Sequence, residues 1–409
     1  MTTGLRFISR RTLLVFLLIT GVVVLTRCIP GSSTKEEKNG RVAYSDFAGS
    51  AACGSCHADV LKAHLNTAHF KTSAPASDSS ILGSFESGKN EFAFNPLVKV
   101  AMEQREDGFY QVEYLRGQEK RARRFDISMG SGTRGQTYLY WWKDTLAQLP
   151  ISYFTPVNEW TNSPGYSNRV QFGRPVTARC MECHSTFATV TSAPDSKIDL
   201  FNHQEILYGV DCEKCHGPSL QHVNYHREHP GDTVAKFTLN PAHFDRQRQL
   251  DLCALCHGGK LQKTSPSFSF LSGDALKDHF RVDTAPRSVS DIDVHGNQFG
   301  MMAASRCFIK SQMTCGSCHS PHENEAGKTA VFAQRCQSCH NTLHVNECKL
   351  KATKGSVILD NCSSCHMPEL PSGTVMVIRQ GEDVPMKAGM HTHFISIYPE
   401  VTEKVLGKQ

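Results

Sequence analysis

Seven times along this chain of 409 residues, two cysteines separated by two residues are followed at once by a histidine. The stretches are Cys53-Gly-Ser-Cys56-His57, Cys180-Met-Glu-Cys183-His184, Cys212-Glu-Lys-Cys215-His216, Cys253-Ala-Leu-Cys256-His257, Cys315-Gly-Ser-Cys318-His319, Cys336-Gln-Ser-Cys339-His340 and Cys362-Ser-Ser-Cys365-His366. This pattern is the attachment signature of haem c. Two thiols add across the two vinyl groups of one haem, and the adjoining imidazole reaches the iron. Structural zinc and thioredoxin-like dithiols also use paired cysteines, but neither demands a histidine directly after the second one. Zinc would further take the pairs two at a time, and seven is odd. The expected cofactors are therefore seven covalent haem c groups, with His57, His184, His216, His257, His319, His340 and His366 as proximal ligands.

Haem c is attached outside the cytoplasm, so the chain should carry an export signal. Arg6, Arg10 and Arg11 precede the apolar run Thr12–Leu25, which is short for a membrane span and suited to a signal h-region. Ser9-Arg10-Arg11 has a faint look of a twin-arginine signal, but an ordinary basic leader fits better for a chain that crosses unfolded. Cys28 stands where a bacterial lipoprotein keeps its lipidated cysteine, although Arg27 occupies a position that normally holds a small residue. A cleaved soluble form and an uncleaved anchor are the alternatives. The expected location is the periplasm or the outer-membrane surface of a Gram-negative bacterium.

Charge bears on partners. Cutting after residue 27 removes four arginines and leaves a formal charge near +1. Each haem adds two propionates against one ferric core charge, so the oxidised holoprotein stands at about −6. Redox proteins are the expected partners, a quinol oxidase or other cytochromes, with membrane association through the N-terminal segment; nucleic acid is not expected.

Spacing of the motifs divides the chain. No attachment site falls between His57 and His184, whereas six follow from His184 to His366. The expected fold class is α+β and haem-dominated: short helices and loops wrapped around seven covalent haems, with a small antiparallel β insert after the first haem. The expected organisation is a signal or anchor over 1–27, a polar linker over 28–44 and a first haem helix region over 45–90. The β insert takes 91–175, the six-haem region 176–395 and a tail 396–409. Little regular structure is expected between the later motifs.

Within the insert, Val98, Val100 and Met102 alternate with polar or small residues, Asp107-Gly108 signals a turn, and Tyr110, Val112 and Tyr114 alternate again. That is a hairpin pattern. Tyr138–Trp142 and Ile151–Phe154 read as further strands. Their aromatic residues are expected to form the sheet's core and cover a haem edge. Gly130-Ser-Gly132-Thr-Arg-Gly135 matches a dinucleotide-binding fingerprint, but the strand-like Gln136–Trp142 follows where a helix is needed, so it reads as a turn. Ala51 to Phe70 reads as helical around the first motif. Gly217-Pro218 and Ser320-Pro321 should stop the helices of the third and fifth motifs.

Thirteen further histidines compete for the second axial positions, and methionine is the rival ligand. Bis-histidine ligation is favoured at most haems. A distal ligand approaches the face opposite the proximal one, so a histidine a few residues along the same turn more naturally reaches a neighbour's iron. The chosen distal ligands are His69, His222, His279, His295, His322, His344 and His393, with His243, His391, His64 and His203 in reserve. Cys307 and Cys348 remain over, either as a disulfide or as two buried free thiols.

The motif order resembles the multihaem superfamily that contains the tetrahaem cytochrome of ammonia oxidisers, pentahaem nitrite reductase and octahaem hydroxylamine oxidoreductase. It is most similar to cytochromes of the c-552/4 type. The matching phrases run from Ala51-Ala52-Cys53 to Thr67-Ala68-His69, and from Ser163-Pro164-Gly165-Tyr166 to Arg174-Pro175-Val176-Thr177. Others are Asp211-Cys212 through His216-Gly217-Pro218 with His222, Ser305-Arg306-Cys307-Phe308, and Cys365-His366-Met367-Pro368. The resemblance implies distal ligation by His69, His222, His295 and His322, and it favours His393 over His391. The chain lacks the Cys-x-x-Cys-Lys site of pentahaem nitrite reductases, for Cys348-Lys349 has no first cysteine. It also lacks the eighth haem of hydroxylamine oxidoreductase and an assignable cross-linking tyrosine.

Electron transfer is accordingly the leading functional expectation. An oxidoreductase acting on a small nitrogen or sulfur compound at one five-coordinate haem, for which the His184 haem beneath the insert is the candidate, is the second. A haem-rich filament subunit is the third.

Overall fold

The alternation around Asp107-Gly108 makes the hairpin expected of it. Strands Val98–Arg105 and Gly108–Leu115 pair antiparallel, with Arg105 opposite Gly108. Gly108 takes φ 143°, a conformation that side chains disfavour. Glu91–Asn95 and Gln118–Arg124 flank this pair and complete a four-stranded sheet. The computed structural model describes residues 42–193, 196–281, 289–340 and 348–406. The leader, Cys28 and His344 lie outside them. Residues 43–409 form one unit by their internal contacts.

A second antiparallel sheet lies beside the first in sequence. It orders Ser73–Pro75, Ile127–Met129, Gly135–Trp142, Thr145–Gln148 and Arg174–Pro175, with Ile151–Phe154 pairing both Gly135–Trp142 and Glu159–Asn162. The sheet thus recruits a strand, Ser73–Pro75, from upstream of the insert. The glycine-rich fingerprint is a turn between two of its strands. A Cβ on Gly130 would lie 2.8 Å from the Gly135 carbonyl oxygen, which explains the need for glycine there.

Aromatic residues fill the core as expected. Phe92, Phe125, Tyr138 and Trp160 bury together with Val100, Met102, Leu149 and Ile151. A second cluster joins Ile127, Leu139 and Leu146 of the second sheet to Ala178 and Met181 of the helix that carries the second motif. Burying such side chains is worth roughly 1.5–3 kcal/mol each, so the sheet anchors that motif.

The attachment motifs end short helices. The second, third, fourth, sixth and seventh close the helices Ala178–His184, Cys212–His216, Arg246–His257, Thr329–His340 and Cys362–His366. The fifth begins as a 3-10 turn, Cys315–Ser317, and ends before Ser320-Pro321. Gly217, at φ 75°, stops the third motif's helix ahead of Pro218.

Two expectations are corrected. Ala51 to Phe70 is not one helix but Ser50–Gly54, Ala58–His64 and the 3-10 turn Phe70–Thr72. His57 leaves helical geometry at φ −113° and ψ 46°, and the second helix turns back so that Leu61 covers Gly54. The later region also holds more strand than expected. Ser185–Val190 pairs with Phe201–Tyr208, and Glu369–Val377 pairs with Met386–His391. The second hairpin packs Val377 and Ala388 against Phe154 of the insert. Tertiary contact, rather than local alternation, keeps these strands in place.

Among the described residues, no helix is long and apolar enough to cross a membrane.

Candidate haem centres

Three pairs of imidazoles from distant parts of the chain come together at similar separations, His69–His257 edge to face and the other two near-parallel. His69 and His257 have ring centroids 6.2 Å apart, His216 and His322 6.0 Å, and His319 and His393 6.2 Å. Metal–nitrogen bonds of roughly 2 Å on either side of one ion separate two imidazole centroids by roughly 6 Å. Each pair couples the proximal histidine of one motif to a histidine chosen from sequence as a distal ligand. His222 and His226, by contrast, meet at 4.6 Å edge to face, too close to admit an ion between them.

His69 and His257 present accessible surface, yet protein surrounds them on several sides. Burial, then the neighbouring His257, His64 and His319, pushes the His69 pKa down to about 4. Burial, followed by His319, does the same for His393, also to about 4. Both imidazoles are therefore neutral at pH 7, the state an iron ligand must have.

Second partners aim the proximal rings. Nδ1 of His216 meets the Leu239 carbonyl at 2.7 Å, and Nδ1 of His366 meets the Ser396 carbonyl at 2.8 Å. Nδ1 of His184 lies 2.9 Å from the Thr72 hydroxyl, and Nδ1 of His257 lies 3.1 Å from the Gln298 amide oxygen. Occupying Nδ1 leaves Nε2 free for iron and fixes the ring plane. The residues present thus fit haem c: paired thiols, oriented proximal rings and metal-wide gaps. Among the described residues no group of three or more His, Cys, Asp or Glu gathers as a bare metal ion would need.

The remaining distal candidates divide. His295 sits close enough to His184 to hold its pKa down, alongside the larger effect of burial. Asp293 positions the His295 loop by accepting from the His295 amide at 2.8 Å and from the Ser372 hydroxyl at 2.9 Å. His222 has Nδ1 against the Lys236 carbonyl at 2.7 Å, which leaves its Nε2 free. His279 has both nitrogens engaged, Nε2 3.1 Å from Asp274 and Nδ1 near Ser265 and Ser269. Of the reserves, His203 stacks on Trp141 at 3.7 Å with Nε2 on the Lys143 carbonyl. His391 has Nδ1 on the Met367 carbonyl, and His243 closes a 3-10 turn. His64 is buried with neither ring nitrogen in a hydrogen bond, although Asp211 stands 3.5 Å from its Nε2. Of the two alternatives for the leftover cysteines, the disulfide does not form: Cys307 and Cys348 are both free. Cys307 neighbours Cys318 and Cys336, while Cys348 neighbours Cys365.

Sequence reasoning missed the carboxylates inside two motifs. Glu213 accepts from the Ala48 amide at 2.9 Å and from the Gly49 and Ser219 amides at 2.8 Å each. It staples the entry to the first motif onto the third. Glu182 accepts from the Phe268 amide at 2.8 Å and pairs with Arg179 at 3.3 Å. A buried glutamate at a free position of the signature carries no periodicity that would betray it. His226, whose buried Nε2 has no protein partner, was also passed over.

Glu325 braces the fifth motif against the sixth. It accepts from the Ser320 amide at 2.9 Å and from both terminal nitrogens of Arg335, at 2.9 and 2.5 Å. Arg335 holds the Glu325 pKa below the usual carboxylate range. This stabilisation is complete above the ordinary glutamate pKa of about 4.3 and disappears as the pH falls through the lower folded value. Glu325→Gln should therefore cost about 2 kcal/mol at pH 7, and the gap to the unaltered protein should close on acidification. Equal losses at pH 7 and pH 3 in chemical unfolding would contradict the brace.

Comparison with known proteins agrees with this chemistry. Residues 160–217, which hold the second and third motifs, match the family described as Cytochrome c554 and c-prime. The fold is similar to that of an outer cell wall cytochrome, OcwA, with a TM-score of 0.52 at 15% identity, covering 88% of this chain and 82% of that one. No curated protein matches the sequence. The family match and the signatures together support a c-type cytochrome, a protein with covalently bound haem that transfers electrons.

Proposed function

We propose that this chain is a heptahaem c-type cytochrome that passes electrons through closely placed, mostly bis-histidine centres. The observation that carries the reading is the trio of histidine pairs at about 6 Å, each joining one motif's proximal ring to a distant part of the chain. When bound, haem supplies the one-electron couple. The chain's own part is to fix the ligands, to orient their rings through Nδ1 and to keep them neutral. Bis-histidine ligation sets potentials below those of histidine–methionine centres.

The Cys-x-x-Cys-His chemistry and the leader favour export, to the periplasm or the cell surface. The structurally similar protein is named for a place in the outer cell wall, which favours the surface. Cys28 offers a lipid anchor, and the redox partners are a quinol oxidase or other cytochromes. His295 acts electrostatically on the His184 ring, which makes it the candidate to close that iron and favours the carrier over catalysis there.

Low-temperature electron paramagnetic resonance of the oxidised protein, with a haem count by pyridine haemochrome, tests the reading. Seven haems, all low-spin, are expected. A high-spin signal equivalent to one haem and perturbed by nitrite or hydroxylamine would replace the carrier with an enzyme.

A further inference from the structure

The edge strand Gln118–Arg124 concentrates positive charge on a chain whose oxidised, haem-loaded form is expected to be negative. It carries Lys120, Arg121, Arg123 and Arg124 against one carboxylate, Glu119, and Glu119 is paired with Arg105 at 2.9 Å. Cations on an edge strand ordinarily guard against edge-to-edge pairing, and two of these arginines need no further account. Arg124 meets Asp126 at 2.7 Å. Arg121 covers the Phe172 ring at 5.2 Å and reaches Glu113 at 3.8 Å.

Arg123 is different. Its guanidinium lies 5.0 Å from the ring centroid of Trp142 and 5.6 Å from that of Tyr140, and Nη1 donates to the Ala122 carbonyl at 2.9 Å. Nε is buried without an acceptor, and among the described residues no carboxylate pairs with this side chain. A guanidinium stays charged at any ordinary pH. Ring faces and one carbonyl therefore hold a cation that the chain does not neutralise.

This cation borders an open cleft of about 430 Å³, lined also by Tyr110, Arg124, Tyr140, Trp141 and His203. The acceptors of the cleft are engaged and its donors are not. Asp126 accepts from Nε of Arg124 at 2.8 Å and from the Trp141 amide at 2.7 Å, and His203 has Nε2 on the Lys143 carbonyl at 3.0 Å. The Tyr140 hydroxyl and the Trp141 indole N–H have no protein partner among the described residues. The cleft thus offers a positive charge and two neutral donors to whatever enters it.

We infer that this cleft binds a small organic oxyanion, a carboxylate or a phosphate ester, whose charged end is received by Arg123 with Tyr140 and Trp141 as the neutral donors. Charge-assisted hydrogen bonds of this kind are the strong ones. The volume lies in the range of small-molecule sites and exceeds what a bare phosphate fills, so the anion is one end of a larger molecule. The site lies on the β insert and does not depend on the haem-carrying function.

Isothermal titration calorimetry of the haem-loaded full chain at fixed ionic strength, with inorganic phosphate and with citrate as probes, tests the site. Saturable one-to-one binding of at least one probe is expected, and the tighter probe tells phosphate from carboxylate. Arg123→Gln should weaken that binding by about tenfold or more. Arg123→Lys keeps the charge and loses the planar fork, so it should also bind more weakly; it carries the test should the glutamine variant not fold. Arg121→Gln removes the same charge from the same strand outside the cleft and should change the affinity by less than about twofold. No saturation by about 10 mM of either probe would overturn the inference. So would unchanged binding in both Arg123 variants, or equal losses in Arg123→Gln and Arg121→Gln, which would mark a diffuse field instead of a bound ion.

Discussion

Replacing Glu213 by alanine should destabilise the haem-loaded protein by about 3–5 kcal/mol, the largest loss expected from any single carboxylate in this fold. The side chain receives three backbone amides, from Ala48, Gly49 and Ser219, all within 2.9 Å. Each hydrogen bond to a charged acceptor is worth about 1.5–3 kcal/mol, and an amide left without a partner adds its own desolvation cost where water cannot reach it. Ser219 is buried, while Ala48 and Gly49 are partly accessible, which keeps the total below the sum of three full penalties. Glu213→Gln retains the oxygen that serves two of the amides and loses the charge, so it should cost about half as much. Thermal unfolding followed through the haem absorption band measures both. A loss below about 1 kcal/mol for the alanine variant would show that the staple is not what holds the first motif on the third.

The second large effect is spectroscopic. His393→Ala should convert one ferric haem from low spin to high spin, because the ring that faces His319 at 6.2 Å is removed. No other described imidazole is paired with His319 at that separation. Loss of a nitrogen ligand should also raise that centre's potential, by an amount on the order of a tenth of the ~0.8 V that axial ligands command. His203→Ala is the control: its Nε2 is taken by the Lys143 carbonyl and its face by Trp141, so all centres should stay low-spin. An unchanged low-spin count in the His393 variant would remove this histidine from the ligand set.

The chemistry of this chain was legible in one dimension, and its geometry was not. The attachment signature is contiguous, since two thiols and an imidazole must reach one small group, so seven sites could be counted without any structure. The hairpin at Asp107-Gly108 and the helix stop at Gly217-Pro218 were equally local, because turn conformation is decided by two or three residues. The break at His57 was missed because His57, Leu61, His64 and Leu65 keep a helical spacing that starts at the break itself.

Which histidine serves which motif could not be read in the same way. His69 meets the ring of the fourth motif and His393 that of the fifth, and neither pairing leaves a trace in the residues around it. Glu182 and Glu213 hide for a related reason: in sequence they look like solvated charges, and only the approach of Phe268, Ala48 and Gly49 turns them into buried acceptors. The sequence by itself determined how many attachment signatures the chain carries and which atoms they offer, because the signature needs only neighbouring residues. The tertiary structure alone decided which motifs and histidines come together, because helix packing and buried hydrogen bonds join segments that chain order leaves far apart.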